Sequence, residues 1–175
     1  MSEVREKGKI AKEASFALLN VTTEEKNEAL RLVAEKLLAE KDYLIQENIR
    51  DLQAGKEAGL TESVLDRIML NEKRIEDMSA AIQLLIEMKD PIGEVLETIK
   101  KENGLFIQKK AVPIGVIGMI YEARPNVTVD AATLALKTGN AVVLRGSSSA
   151  QYSNQALVKV IHEALSQSAI TPLSI

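Results

Sequence analysis

Apolar side chains recur every three or four positions between residues 3 and 87, which is the spacing of amphipathic helices. The pattern predicts helices over residues 3–19 and 42–54, and between them a helix that starts at a capping box of Thr22 and Glu25. Thr61 and Asn71 are expected to cap two more helices. We expect the apolar stripes to face the core and the charged residues to face solvent. The stripes comprise Ile10, Ala14, Ala17, Leu18, Ala29, Leu30, Val33, Leu37, Leu38, Ile75, Met78, Ile82, Leu85 and Ile86.

The pattern changes at residue 92, where short runs of strand-like composition replace the helical spacing. Two such runs flank Asn103-Gly104, a dipeptide typical of tight hairpin turns in which both central residues have positive φ. We therefore predict a hairpin within residues 92–112, with Glu97 opposite Lys110 as a favourable cross-strand pair. Because a two-stranded hairpin is marginal alone, we expect it to pack on another subunit or another part of the chain.

Residues 111–168 alternate between strand and helix patterns. The apolar runs 111–121 (AVPIGVIGMIY) and 140–145 (NAVVLR) predict strands that are buried on both faces of a parallel sheet. Asn126 is expected to cap a helix that continues to Lys137 and ends at Gly139, and a second helix is predicted over 150–167. The fold class is therefore α/β, with the start of a parallel Rossmann-type sheet. Two such strands do not make an independent domain, so we expect this chain to be the front part of a longer protein.

The composition excludes several classes of function. The 22 Lys+Arg and 25 Asp+Glu residues give a net charge of −3, which offers no electrostatic basis for binding nucleic acid. No 18-residue apolar span and no signal-peptide core are present, so we expect no membrane partner and a cytoplasmic location. With no Cys and one His, these residues hold no thiolate metal site, no thiol nucleophile and no His-rich metal site.

Residues 145–149 (RGSSS) are the first candidate site, because they leave the carboxyl end of a strand and enter a helix. A helix N-terminus offers free N–H groups to an anion, Gly146 permits close backbone approach, and the Arg145 guanidinium suits phosphate. The alternative is that Ser147 and its neighbours only cap the helix while Arg145 is surface charge. No standard nucleotide-binding fingerprint is present to decide between the two.

Residues 122–126 (EARPN) are the second candidate, at the end of the preceding strand. Arg124 could hold a carboxylate or phosphate, and Asn126 could donate to a developing oxyanion. The alternative is that Asn126 only caps the helix and Glu122 pairs with Arg124. Three other residues are expected to have minor or open roles: Tyr121 packs, His162 is structural or exposed, and Asp130 caps, pairs or contacts a ligand.

The segment PIGVIGMIYEARPNVTVDAATLALKTGNAVVLRGSSSA (residues 113–150) resembles the gamma-glutamyl phosphate reductases, a family of the aldehyde dehydrogenase superfamily. YEARPNVTVDAA is specific to that family, whereas GNAVVLRG is shared more loosely across the superfamily, whose members often carry Lys where Arg145 stands. Residues 59–78 and 90–96 also resemble the family, so the resemblance covers nearly the whole chain. It departs after Gly146, where the family more often has a Gly and an acidic residue instead of three serines.

The resemblance implies an aldehyde-dehydrogenase-like fold and an activity. Residues 1–91 would be the helical part of the cofactor-binding domain, 92–112 an oligomerisation hairpin that makes a homo-oligomer, and 113–175 the first βαβα of the NADP-binding domain. The family reduces L-glutamyl 5-phosphate with NADPH to L-glutamate 5-semialdehyde in proline biosynthesis. A Cys thiolate displaces phosphate and the thioester then accepts hydride. Glutamate 5-kinase, which makes the substrate, is a candidate partner.

The resemblance also assigns roles to individual residues. Those expected to contact the cofactor are Met119, Ile120 and Tyr121 by backbone, and Arg145, Gly146 and Ser147 at the adenosine ribose and its 2′-phosphate. Arg124 and Asn126 are expected to bind substrate, and Asn126 is also a candidate oxyanion contact. The nucleophilic Cys of the family lies downstream and is absent here, so we expect this chain alone to be inactive.

Two alternatives to this function stay open. The chain could be a non-catalytic truncated relative that binds a nucleotide or assembles with a partner. It could also belong to an enzyme of ordinary aldehydes, although YEARPN argues against this because those enzymes typically have an Asn-Phe-Pro sequence there.

Overall fold

The computed structural model describes residues 2–175, which form an α/β structure with a helical layer and a short parallel sheet. Within that range the helices are α1 (Glu3–Leu18), α2 (Thr23–Ala39), α3 (Lys41–Glu57), α4 (Glu62–Ile68), α5 (Glu72–Glu87), α6 (Asn126–Lys137) and α7 (Gln151–Leu165). The strands are β1 (Val95–Lys100), β2 (Phe106–Lys110), β3 (Val116–Ile120) and β4 (Ala141–Arg145). Single 3₁₀ turns lie at Ser148–Ala150 and Pro172–Ser174.

The predicted helix starts are confirmed where side chains cap them. Thr22 Oγ1 accepts a hydrogen bond from Glu25 N (3.2 Å), and the Glu25 carboxylate accepts one from Thr22 N (2.7 Å), so the capping box is complete. The Asn71 side-chain oxygen accepts a bond from Arg74 N (2.8 Å) and caps α5. Thr61 occupies the N-cap position of α4 without a side-chain cap bond.

The core forms around α2, which packs against α5, α6 and α7. Its residues Ala29, Leu30, Val33 and Leu37 are fully buried, as predicted. Each buried Leu contributes roughly 2 kcal/mol by leaving water. Leu38, one position further round the helix, is exposed, so its predicted burial is wrong.

Helix α1 confirms the predicted burial of Ala14 and Leu18, but not that of Ile10 and Ala17. Ile10 and Ala17 are exposed, and the buried positions are Ala11, Ala14, Ser15 and Leu18. The cause is its packing partner, since α1 lies against β4 and the Pro172–Ser174 turn, which select a stripe of small residues.

Helix α3 continues to Glu57, past its predicted end near Gly55. Gly55 is buried inside the helix, where an added Cβ would lie 2.9 Å from Leu65 Cδ2 and 3.1 Å from Leu60 Cδ1. Gly59, at φ +73°, follows the helix end instead. Close packing therefore explains Gly55.

The hairpin of β1 and β2 is present, but its predicted register is wrong. Glu97 lies opposite Lys109, and Lys110 lies opposite Val95 across a bulge. Lys101 N donates to Leu105 O (2.9 Å), which closes a three-residue loop in place of the expected two-residue turn. Within residues 2–175 only glycines adopt positive φ, so Gly104 (φ +85°) alone makes the left-handed step and Asn103 does not. Every residue of both strands is exposed.

Strands β3 and β4 pair in parallel with α6 as the crossover, which confirms the predicted βαβ unit. β3 is shorter than predicted because Pro113 has no N–H and Gly115 bends the chain at φ +111°. The prediction that β3 is buried on both faces is also wrong, because Met119 and Ile120 are exposed. β4 is buried at Ala141 and Val142 and exposed at Arg145. α1 packs against both strands of this sheet and α6 packs against β4, while each strand has one edge without a partner in the described residues.

A buried polar cluster joins α2, α6 and the chain after α5. Lys26 Nζ lies 2.6 Å from Asp90 Oδ2, with both side chains less than a tenth exposed. Asp90 also accepts from Thr23 Oγ1 (2.9 Å) and from Ile92 N (2.9 Å). Lys137 Nζ donates to Asn27 Oδ1 (2.8 Å) and Ile86 O (3.1 Å), and burial lowers its pKa. The cluster sets where the hairpin leaves the helical layer.

No helix in residues 2–175 has the length and apolar character needed to span a bilayer.

Candidate functional site

The two polar loops singled out from the sequence lie side by side at the carboxyl edge of the sheet. Ile120 is the register partner of Arg145, and Tyr121 N donates to Arg145 O (3.1 Å). The segment from Met119 to Tyr121 therefore runs beside Leu144 to Gly146, as expected from parallel pairing. In open α/β sheets this edge is where ligands bind.

Gly146 is constrained by close packing. An added Cβ would overlap Asn154 Nδ2 and come within 3.0 Å of the Tyr121 hydroxyl oxygen. The Tyr121 hydroxyl lies 2.6 Å from Thr128 Oγ1, which donates to Asn154 Oδ1 (2.9 Å). Burial raises the pKa of Tyr121, partly offset by the Thr128 bond. Tyr121 is thus a packed, hydrogen-bonded phenol that lines the base of the Gly146 turn.

Arg145 is exposed at the end of β4, and Ser147 lies half-buried beside it. Ser147 Oγ accepts a hydrogen bond from Ser149 N (3.2 Å) and so caps the 3₁₀ turn that precedes α7. Ser147 Oγ also donates a hydrogen bond to Ser149 Oγ (3.2 Å). Because the hydroxyl can rotate, Ser147 can donate to a ligand instead while it still caps the turn.

The expectation of free N–H groups at the start of α7 is wrong. Asp51, on α3, accepts hydrogen bonds from Tyr152 N (3.1 Å), Ser153 N (2.7 Å) and Ser153 Oγ (2.6 Å). Its carboxylate is buried and occupies the positive end of the helix dipole. Asn48 supports it by donating to Ser153 Oγ (2.9 Å). The N–H groups of Tyr152 and Ser153 are therefore not open to an anion, because an internal carboxylate already accepts from both. Arg145 and the serine hydroxyls are the groups that this loop still offers to an anion.

Asn126 is not the cap of α6, which corrects its predicted structural role. Pro125 stands at the cap position with φ −58°, and Asn126 is the first helical residue. Asn126 Nδ2 instead donates to Asp130 Oδ2 at 3.3 Å, one turn along the helix. Glu122 and Arg124 form no ion pair; among residues 2–175, the Arg124 side chain forms none at all.

Arg124, Asn126 and Asp130 open onto a cavity of about 480 Å³ between α4, α5 and α6. Burial raises the pKa of Asp130, which the Asn126 bond offsets in part. The rest of the lining is Asp66, Arg67, Met69, Leu70, Arg74, Asp77, Met78, Ala81 and Pro125. Sequence reasoning missed the α4 and α5 residues, because nothing local links them to a loop more than forty residues later.

A second cavity of about 610 Å³ lies beside Gly146 and is lined mainly by residues of α7. Tyr121, Leu144, Asn154, Lys159 and His162 share its lining, while Arg145 and Ser147 lie outside it. His162 is held structurally, with Nε2 2.9 Å from the Ile175 carbonyl oxygen. In the described part of the chain, no three His, Cys, Asp or Glu side chains are placed to hold a metal ion.

Comparison with known proteins adds three likenesses. The model of the aldehyde dehydrogenase family matches residues 1–171. Gamma-glutamyl phosphate reductase of Bacillus subtilis is 64% identical over 170 residues, which are 97% of this chain and 41% of that protein. The crystal structure of gamma-glutamyl phosphate reductase from Thermotoga maritima has a TM-score of 0.97 and 46% identity, over 99% of this chain and 42% of that one.

A further likeness, beyond these three, is to glyceraldehyde-3-phosphate dehydrogenase of Methanocaldococcus jannaschii, solved in complex with NADP. The TM-score is 0.70 over 98% of this chain and 35% of that one, and at 21% identity the likeness shows the fold alone. The chain spans about two fifths of the length of the curated relatives it matches.

Proposed function

Because this chain belongs to the aldehyde dehydrogenase family, we propose that it forms the NADP-binding part of an enzyme that reduces L-glutamyl 5-phosphate to L-glutamate 5-semialdehyde in proline biosynthesis. The observation that carries the proposal is the 64% identity, over nearly the whole chain, to gamma-glutamyl phosphate reductase of Bacillus subtilis. YEARPNVTVDAA, the family-specific segment, contributes Arg124, Pro125, Asn126 and Asp130 to the lining of the proposed substrate-side cavity.

The residues present fit an NADP nucleotide. Asn154 and Tyr121 fill the space that a Gly146 Cβ would occupy, so only glycine keeps the turn at the sheet edge in this close-packed form. The Arg145 guanidinium is suited to a dianionic 2′-phosphate, and the Ser147 hydroxyl to the ribose. Met119, Ile120 and Tyr121 would flank the nucleotide through their backbone. When bound, the cofactor supplies the hydride.

Arg124 and Asn126 are the proposed substrate contacts. The Arg124 guanidinium neutralises an anionic group of the substrate, and the Asn126 amide is free to turn from its 3.3 Å contact with Asp130 toward a developing oxyanion. The chain itself has no Cys, so it contributes binding and orientation while the thiolate nucleophile has to come from elsewhere. We expect the isolated chain to bind NADPH without reducing substrate.

The hairpin of β1 and β2 is the proposed oligomerisation element. All of its strand residues are exposed, including apolar side chains that a partner subunit would bury: Leu96, Ile99, Phe106 and Ile107. This exposure supports the proposal of a homo-oligomer formed through residues 92–112. Glutamate 5-kinase stays a candidate partner because it supplies an unstable acyl phosphate.

The test is calorimetric titration of the native gene product with NADPH, followed by an assay of phosphate release from L-glutamyl 5-phosphate. Micromolar binding together with NADPH-dependent phosphate release would support the proposal. Binding without turnover, by a product whose intact mass is 19.1 kDa, would favour a non-catalytic nucleotide-binding module. If the product does not bind NADPH, both the reductase function and the nucleotide-binding module are overturned.

A further inference from the structure

Six charged side chains line the cavity at Arg124. Three are positive and three are negative: Arg67, Arg74, Arg124, Asp66, Asp77 and Asp130. Three of the six are neutralised within the protein. Arg74 is held by Asp66, with 3.1 Å between its nitrogen and the carboxylate, and also donates to Met69 O (2.8 Å). Asp77 is paired with Lys73 of the same helix at 2.6 Å. The Asp66–Arg74 pair links α4 to α5, and the Lys73–Asp77 pair lies within α5.

The other three are Arg67, Arg124 and Asp130. Within residues 2–175, none of them has an ion-pair partner within 4.0 Å, although opposite charges line the same cavity. Asp130 is half-buried and receives a single 3.3 Å bond from a neutral amide. A half-buried carboxylate without a cation has its charged form disfavoured, and the pKa of Asp130 is raised accordingly.

The three groups therefore present two positive charges and one negative charge, held apart in a space of about 480 Å³. The complementary ligand has one cation and two anions. A volume of this size admits a small molecule, and oppositely charged groups that do not pair with each other are suited to pair with a ligand.

We infer that this cavity recognises the amino-acid head of the substrate, with Asp130 binding the α-ammonium group and Arg67 and Arg124 binding the two anionic ends of an acidic α-amino acid. The inference rests on the proposed function and extends it, because it assigns Asp130 and Arg67 to substrate choice. Arg124 forms two parallel hydrogen bonds with a carboxylate or phosphate, and Asp130 discriminates against analogues that lack a free amine.

The experiment compares ligands by isothermal titration of the native gene product that carries this chain. L-glutamate is the probe, and N-acetyl-L-glutamate and glutarate keep both carboxylates while lacking the ammonium group. Inorganic phosphate tests whether the arginines bind any anion equally. We expect L-glutamate to bind at least tenfold more tightly than glutarate or N-acetyl-L-glutamate. Equal affinities for the three, or no L-glutamate binding at millimolar concentration, would overturn the inference.

Substitutions test which residues produce the preference for L-glutamate over glutarate. Asp130→Asn should reduce L-glutamate binding to the level of glutarate, and Arg67→Gln should weaken both ligands several-fold. Asp77→Asn is the matched control, because that carboxylate faces the same cavity but is already paired with Lys73, and it should keep the preference. Arg67 is exposed on α4, so its variant is expected to fold even if Asp130→Asn does not. A preference that survives in Asp130→Asn would contradict the assignment.

NADPH titration of the same variants separates this inference from the proposed function. Normal NADPH binding with no L-glutamate preference would remove only the substrate assignment. If the unmodified protein does not bind NADPH, the proposed function itself is overturned.

Discussion

The backbone N–H of Tyr121 donates a hydrogen bond of 3.1 Å to the carbonyl of Arg145, and this bond joins the two polar loops at one edge of the sheet. Arg145 is exposed there, next to the Gly146 turn. The residues proposed to bind substrate and those proposed to bind the cofactor therefore lie on one sheet edge, which would help to position the reacting groups.

Arg145→Ala is expected to weaken NADPH binding more than NADH binding. Only NADPH carries the 2′-phosphate, and a guanidinium contact to phosphate contributes a charge-assisted hydrogen bond of about 1.5–3 kcal/mol, or roughly ten- to hundredfold in affinity. The Kd of each cofactor, measured by titration, checks this. Arg31→Ala, an exposed arginine paired with Glu28 on α2, serves as the control. Equal losses for the two cofactors would remove the 2′-phosphate role.

Gly146→Ala is expected to lower both stability and NADPH affinity. The new methyl group overlaps Asn154 Nδ2 and has to break the Thr128–Asn154 bond or shift the turn, at a cost of about 1–3 kcal/mol. Gly118→Ala in β3 is the matched control, because nothing lies within 4 Å of an added Cβ there. Urea denaturation compares the two variants, and equal stabilities would show that the turn is looser than the packing indicates.

Asp51→Ala is expected to destabilise the fold by about 2–3 kcal/mol. It leaves Tyr152 N and Ser153 N without their acceptor at the buried start of α7. Asp51→Asn keeps one acceptor oxygen and should lose about half as much. The free energy of unfolding in urea measures both, and a cost below 0.5 kcal/mol for Asp51→Ala would mean that water replaces the carboxylate.

Acid should weaken the protein through Asp90. Burial raises the pKa of this carboxyl, but hydrogen bonds from Lys26, Ile92 N and Thr23 outweigh burial and leave its pKa below the ordinary 3.8. The folded state then binds fewer protons than the unfolded state. The stabilisation is therefore complete above pH 3.8 and is lost as the pH falls through the lowered folded value.

Asp90→Asn tests this, because it leaves Lys26 as a buried cation without its counter-charge, at a cost of about 3 kcal/mol near pH 7. Between pH 5 and pH 2 its unfolding free energy should fall less steeply than that of the unmodified protein. Urea titrations at four pH values give both slopes, and parallel slopes would exclude Asp90 as a source of acid sensitivity.

The isolated 175-residue chain is expected to self-associate. In the described residues the sheet has only the two strands β3 and β4, so each strand has an unpaired edge, and Ile120 on β3 is 85% exposed. Light scattering and analytical ultracentrifugation measure this. A monomeric species with one cooperative melting transition would show that the two-stranded sheet is stable without further strands.

Local patterns predicted the helices well because their signals lie within a few residues. The capping box at Thr22 and the stripe of Ile75, Met78 and Ile82 both depend on spacing that the helix itself enforces. The hairpin register was wrong by one residue because one extra loop position changes the turn type without changing the strand pattern. β3 looked doubly buried because apolar character does not say which neighbours are present.

The candidate site could be predicted only in part. Arg124 and Arg145 stand next to strand ends, where position along the chain indicates position at the sheet edge. Nothing in the sequence near Asp51 or Arg67 indicates a site, because the residues they lie close to are on other elements and are brought near only by packing. Long-range polar contacts of this kind determine which charges are satisfied, and sequence spacing does not report them.

The distance along the chain between Asp51 and Ser153 also has a consequence during synthesis. The two residues are 102 positions apart, so a ribosome adding roughly 5–20 residues per second exposes Asp51 for roughly 5–20 s before its partner emerges. The hydrogen bond from Asn48 to Ser153 Oγ likewise cannot form until Ser153 has been synthesised. In that interval the inner face of α3 carries a solvated carboxylate where α7 will later dock, which discourages premature packing of the apolar helices around it.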